Sequence, residues 1–198
     1  MIDASAQTAV PWSAATWLNP PPAVREEGGD LLVTAAAESD FWRVTSYGFV
    51  HENGHALLTD FPVGSAVEVS FVCVLSEQFD QAGLMVWVDE RTWTKAGVEF
   101  ADGAPQVGAV VTRGASDWST APVPEWLGRE VTIRCSRNGD AITVRARCGD
   151  EPWRLVRLAP LAPDAVAKAG PACCAPTRAG LEIRFTRFAV GPADAALH

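Results

Sequence analysis

Apolar residues recur at every second position through most of this chain, and that period restricts its fold more than any other feature. In REVTIRCS, Val131, Ile133 and Cys135 alternate with Thr132, Arg134 and Ser136. In DAITVRARCG, Ile142, Val144, Ala146 and Cys148 alternate with Thr143, Arg145 and Arg147. SAVEVSFVCV places Val67, Val69, Phe71 and Cys73 on one face, and GLEIRFTRF does the same with Leu181, Ile183 and Phe185. Strand side chains point alternately to opposite faces, so the pattern predicts half-buried antiparallel strands. Asn53-Gly54, Asp102-Gly103, Asn138-Gly139 and Cys148-Gly149-Asp150 punctuate the runs as turns. Short strands interrupted this often read as an all-β sandwich or barrel. REVTIRCS and AITVRARC form the clearest hairpin, with Asn138-Gly139 at the centre of a type I′ turn. Its polar faces carry Arg134, Arg137, Arg145 and Arg147 and read as solvated outer surface. The one Ala-rich stretch, LAPLAPDAVAKAG, is broken by Pro160 and Pro163 and offers at most one helical turn.

A chain of 198 residues reads as one domain with a loose N-terminal lead and a short tail after Gly191. Its formal charge of −8 argues against nucleic acid, which selects a basic field. No apolar run reaches the roughly 18 residues of a membrane span. MIDASAQTAVPWSAATW has neither the basic start nor the apolar centre of a signal peptide. The five cysteines are an odd set without C-x-x-C spacing, and Cys173-Cys174 are adjacent. Cys73, Cys135 and Cys148 continue the apolar phase of their strands, which predicts buried free thiols and a reducing cytoplasm.

His51-Glu52-Asn53-Gly54-His55 matches H-E-x-x-H, which holds zinc only when a helix puts both imidazoles on one face. Asn-Gly in the middle and β-favouring flanks predict a hairpin or loop instead, with no metal. If Asn53-Gly54 is a two-residue turn, Glu52 lies opposite His55 and the two histidines point to opposite faces. No G-x-S-x-G, P-loop or G-x-G-x-x-G occurs, and no cofactor is expected. Glu77, Asp80, Asp89, Glu90 and Glu99 cluster in one stretch, and two of them would suffice for glycoside cleavage at the right separation. Eight tryptophans are many for this length. Trp offers an apolar face and a polar edge, which serves both a large core and a sugar groove.

FWRVTSYGFVHENGH and SDWST mix aromatic and polar residues densely, and here the chain resembles a known family. SDFWRVTSYGFVHENGHALL, then FDQAGLMVWVDERTWTKAGVEFADGAPQVGAVVTRGASDWST, then GPACCAPTRAGLEIRFTRFAV are similar to successive blocks of the regulation-of-enolase, YesU-like family. WLNPPP around Trp17 resembles that family's opening segment, so the likeness covers about residues 17–190. The resemblance implies a concanavalin A-like fold, a two-sheet antiparallel jelly-roll sandwich. It also implies a cytoplasmic setting, a link to enolase regulation among fungal members and carbohydrate handling among bacterial ones. The E-x-D-x-x-E string of jelly-roll glucanases is missing, and in VDERT a regular strand would splay Asp89 and Glu90 to opposite faces.

The reading is therefore a non-catalytic binding domain whose concave sheet takes a sugar-like or small polar ligand, or a protein partner. Trp42, Tyr47 and Trp118 are the candidate walls. Arg43, His51, His55, Asp80, Gln81, Lys95, Glu99 and Asp117 are the candidate polar contacts. A glycoside-active enzyme using Asp80 and Glu99 is the alternative, and a regulatory interaction domain without a small ligand is the third. Alternation along QAGLMVWVD and TKAGVEFA places Ala82, Leu84, Val86, Ala96 and Val98 between the sheets. Gln81, Gly83, Met85, Lys95, Gly97 and Glu99 then share the opposite, open face.

Overall fold

In the computed structural model, which describes residues 7–197, the alternating runs become extended strands. In chain order these are β1 (Thr8–Ala9), β2 (Thr16–Leu18), β3 (Ala23–Glu27), β4 (Asp30–Thr34), β5 (Phe41–Arg43) and β6 (Val50–Glu52). Then come β7 (His55–Asp60), β8 (Ser65–Val72), β9 (Gln81–Asp89), β10 (Thr92–Ala101), β11 (Ala104–Arg113) and β12 (Ser116–Pro122). The last are β13 (Glu130–Asn138), β14 (Ala141–Cys148), β15 (Arg154–Pro160), β16 (Lys168–Cys174) and β17 (Glu182–Pro192). One sheet has the order β15-β14-β13-β8-β17-β4-β3, with β1 added on β17, and the other β12-β11-β10-β9-β16-β7-β2. Both are antiparallel throughout, and β5 pairs with β6 in a separate hairpin.

The main core lies between the two sheets. Val67, Val69 and Phe71 of β8 and Ile133 and Cys135 of β13 meet Ala82, Leu84 and Val86 of β9 and Val98 of β10. These are the apolar phases read from the sequence. Cys73, Cys135 and Cys148 sit in this core as free thiols, and Cys173 and Cys174 are buried as well.

A second, smaller core sits on the outer face of the seven-stranded sheet. There the β5–β6 hairpin lays Phe41 and Trp42 over Met85, Trp93, Val110, Ala172 and Cys174. Phe41 is 0% exposed. The hairpin is thus a flap with its own apolar root.

Four local expectations change. Between β13 and β14 the two central turn residues are Gly139 and Asp140, since Asn138 already pairs with Ala141. Gly139 alone has positive φ (57°), the sign pattern of a type II′ turn, so Asn138 closes the ladder instead of turning. Asp102 (53°) and Gly103 (80°), between β10 and β11, carry the paired positive φ of type I′.

The arginine face of β13 and β14 is covered, not solvated. Arg134 is 2% exposed and donates to Glu68 (2.9 Å) and to Asp194 (2.9 Å). Arg145 also donates to Asp194, and to the Leu197 carbonyl at 2.7 Å. Arg147, on the same face, lies over the Trp153 ring, while Arg137, paired with Ile142 on the inward face, donates to the carbonyls of Phe61 and Ala165, each at 2.7 Å. Guanidinium groups tolerate burial because they present several donors in a fixed fork. The segment after Gly191 is therefore a strap over that face, and Thr8 and Ala9 of the lead pair with β17. Residues 1–6 lie outside the described part.

Asn53-Gly54 is not a hairpin turn. It links β6 of the flap to β7 of the seven-stranded sheet, and neither residue has positive φ. Gly54 is needed for close approach: a Cβ there would stand 2.4 Å from the Phe41 ring and 2.6 Å from Cys174 Sγ.

Candidate functional site

Three cross-strand rows shape the outer face of the seven-stranded sheet. One row runs Met85–Lys95–Val110–Trp118, and another Gln81–Glu99–Gln106–Pro122. Between them lies Ala172–Gly83–Gly97–Gly108–Thr120, with nothing larger than threonine. Along β10 the two flanking rows are four residues apart, about 13 Å at strand rise. The small middle row is thus a trench with polar and aromatic banks. Its glycines also let the strands approach closely, since a Cβ on Gly97 would meet the Ala82 carbonyl at 2.2 Å.

The flap overhangs this face and encloses a cleft of about 410 Å³, which meets the glycine trench at Gln81, Lys95, Glu99 and Trp118. Trp42, Tyr47, Phe49 and His51 come from the flap, Gln81, Lys95, Glu99 and Trp118 from the sheet, and Glu38, Asp40, Phe79 and Pro176 from adjoining loops. Two of these, Glu38 (φ 60°) and Phe79 (67°), stand on left-handed backbone, as do Val44 (65°) and Ser46 (64°) in the flap tip. Such residues cost about 1–3 kcal/mol each and concentrate where a surface is built for contact.

Lys95 is the electrostatic centre. Its Nζ donates to Asp40 Oδ1 at 2.7 Å and to Gln81 Oε1 at 2.6 Å, while the Phe41 amide donates to the same Asp40 oxygen at 2.8 Å. Burial pulls the ammonium down, but Asp40 foremost, with Cys174 and Glu99, holds it above its ordinary value. Glu99 has no hydrogen-bond or ion-pair partner among the described residues. Burial pushes its carboxyl up to about 7, with Lys95 opposing and Asp40 adding to the rise.

Of the residues expected from the sequence, Trp42, Tyr47, His51, Gln81, Lys95, Glu99 and Trp118 meet in this cleft. Four stand elsewhere. Arg43 ties the flap down, donating to Glu52 (2.8 Å) and to the Gly114 carbonyl (3.1 Å). His55 is buried, with Nδ1 donating to the Asn19 carbonyl (2.8 Å) and Nε2 accepting from the Ala36 amide (3.0 Å). Both of its nitrogens are occupied within the protein, while His51 packs edge-on to Phe49 in the flap. The two imidazoles thus stand apart, one bonded into the sheet and one packed in the flap. Among the described residues no group of three or more His, Cys, Asp and Glu side chains converges as a metal-holding set.

Asp80 is 0% exposed; its carboxylate accepts from Arg178 (2.7 Å) and from the Ser76 and Glu77 amides. Burial pushes this carboxyl up, but the Arg178 and amide hydrogen bonds outweigh it and set it below the ordinary value. That group pins the loop carrying Phe79. Asp117 alternates with Trp118 and so faces the other way, accepting from Arg157 of β15 at 2.6 Å. Asp40, Glu38, Phe49, Phe79 and Pro176 were missed. Asp40 and Phe49 lie in an aromatic-rich block, but only tertiary contact sets their side chains beside Lys95 or over the trench.

Two antiparallel sheets packed face to face, with a cleft over one of them, make this a jelly-roll sandwich of the concanavalin A-like class. A family described as "Protein of unknown function (DUF1349)" matches residues 17–193, and the chain belongs to that family. "Regulation of enolase protein 1" of Saccharomyces cerevisiae is 35% identical over 94% of this chain and 94% of that protein. The crystal structure of a functionally unknown protein from S. cerevisiae is 33% identical, with a TM-score of 0.87 over 94% of this chain and 100% of that one. The GH43 protein BlXynB of Bacillus licheniformis has a TM-score of 0.72 at 12% identity, over 96% of this chain and 40% of that one. That last likeness shows the fold alone. Among the described residues no helix is long and apolar enough to cross a membrane.

Proposed function

We propose that this chain is a non-catalytic, cytoplasmic binding domain whose cleft takes a sugar-like small polar ligand. The observation that carries the reading is the cleft walled by Trp42, Tyr47 and Phe49 of the flap and by Gln81, Lys95, Glu99 and Trp118 of the sheet, beside the glycine trench. An open apolar floor with a few convergent polar groups and a shifted carboxyl is the ordinary composition of a small-ligand site. A sugar-sized molecule fits about 410 Å³, and Trp118, 37% exposed, offers it a ring face. The glycoside-active alternative loses Asp80, whose carboxylate is spent on Arg178.

The test is calorimetric titration with a panel of mono- and disaccharides, run beside Trp118→Ala. Binding by the wild type that weakens at least tenfold in the variant supports the reading. A hit that Trp118→Ala leaves unchanged moves the site away from the cleft, and turnover of an aryl glycoside overturns the non-catalytic part.

A protein partner is the second reading. Val44, Tyr47, Phe49 and Val50 expose apolar surface together at the flap tip, between 42% and 54% each. The yeast relative's name refers to enolase regulation, so enolase is the partner to test, by co-sedimentation with and without a Tyr47→Ser, Phe49→Ser double substitution.

A further inference from the structure

The rings of the cleft meet edge-on. Trp42 and Trp118 stand perpendicular, with planes at 89° and centroids 6.3 Å apart. Trp42 and Tyr47 meet at 70° and 5.6 Å. These are edge contacts: Trp42 is 8% exposed and Tyr47 stacks on Phe49, so Trp118 supplies the principal free ring surface, which suits either a sugar ring or a compact cation.

Charge decides between them. The ionisable groups facing the cleft are Glu38, Asp40, Lys95 and Glu99, with His51 and Tyr47 on the flap and Cys174 beneath. Lys95 is cancelled by Asp40 at 2.7 Å. Among the described residues the Glu38 and Glu99 carboxyls have no cation, so three carboxyls face one ammonium and an anionic ligand is disfavoured. An unpaired carboxyl buried in a wall is costly unless protonated or met by a positive group.

We propose that the ligand carries a protonated amine on a sugar-sized polar body, with its ammonium held by Glu99 and its body against Trp118. This rests on the cleft being the ligand site and narrows what enters it. The shared chemistry is the ammonium, which an amino sugar or a choline-like molecule would supply. Because burial holds the empty Glu99 near 7, arrival of the cation at neutral pH releases a fraction of a proton.

The experiment is isothermal titration at pH 7 with glucosamine, choline, glucose, N-acetylglucosamine and glucuronate, in two buffers of different ionisation heat. Glucosamine is expected to bind at least tenfold tighter than glucose or N-acetylglucosamine, with measurable proton release. Glu99→Gln should reduce that advantage below threefold and abolish the release. Thermal melting confirms that the variant is folded, and Glu38→Gln should give a smaller loss in the same direction. Choline binding that depends on Glu99 supports the ammonium and assigns its source. Equal affinity for glucose and glucosamine, or preference for glucuronate, overturns the amine while leaving a Trp118-dependent sugar site standing. No binding by any of the five overturns both.

Discussion

Glu99 shows how one side chain couples stability to its setting. Its folded-state carboxyl titrates near 7 against an ordinary value of 4.5, so the folded protein holds the proton more tightly than the unfolded one. Stability is therefore lost as pH rises from about 4.5 to 7, by at most about 3 kcal/mol from this group. Urea melts at pH 5 and pH 8 should show the fall, and Glu99→Gln should flatten it. Asp80 has the opposite sign. Arg178 and the loop amides hold it low, so its contribution is present above the ordinary carboxylate value and disappears as pH falls below it. Gly97 is a third residue-scale case. In Gly97→Ala the new methyl would meet the Ala82 carbonyl at 2.2 Å, forcing β9 and β10 apart. A loss of about 1–3 kcal/mol is expected by thermal melting, together with a narrower trench and weaker ligand binding.

The flap is the element on which the site depends. Phe41 and Trp42 root it on the sheet, Arg43 ties it to the β11–β12 turn, and Asn19 donates to the Glu52 and Gly54 carbonyls at its base. Asp40, just before its first strand, is the residue that holds Lys95. Removing the root should therefore loosen the roof and the charge centre together. Phe41→Ala is expected to cost about 3–5 kcal/mol. It should also speed proteolytic cleavage within residues 43–50, read by mass spectrometry. The same element carries the HENGH string. Its Asn-Gly pair predicts a tight turn locally, yet β6 and β7 belong to different layers. The glycine is there because the Phe41 ring and Cys174 lie where a Cβ would be. Such a requirement comes from packing across the fold and leaves no local mark.

Across the whole molecule, the C-terminal strap covers the outer face of the eight-stranded sheet through Asp194. That carboxylate accepts from both Arg134 and Arg145, and Arg134 also reaches Glu68. Asp194→Ala leaves two guanidinium groups short of their counter-charge in a buried place. The expected loss is about 3–5 kcal/mol, measured by chemical denaturation. Five free thiols are expected on titration after unfolding, and slow reaction before it, because all five cysteines are buried.

The sequence by itself determined the layers. Period-two alternation assigned Ala82, Leu84, Val86 and Val98 to the interior and Gln81, Lys95, Gly97 and Glu99 to the opposite face, because a strand's pleat admits no other arrangement. Tertiary structure alone decided what lies on each outward face. A polar outward position is solvated, buried under a strap or enclosed in a cleft according to which distant segment crosses it. Arg134 and Glu99 both occupy outward polar positions within alternating runs. One is sealed beneath residues 192–197 and the other opens into the cleft beneath the flap, since long-range packing carries no periodicity of its own.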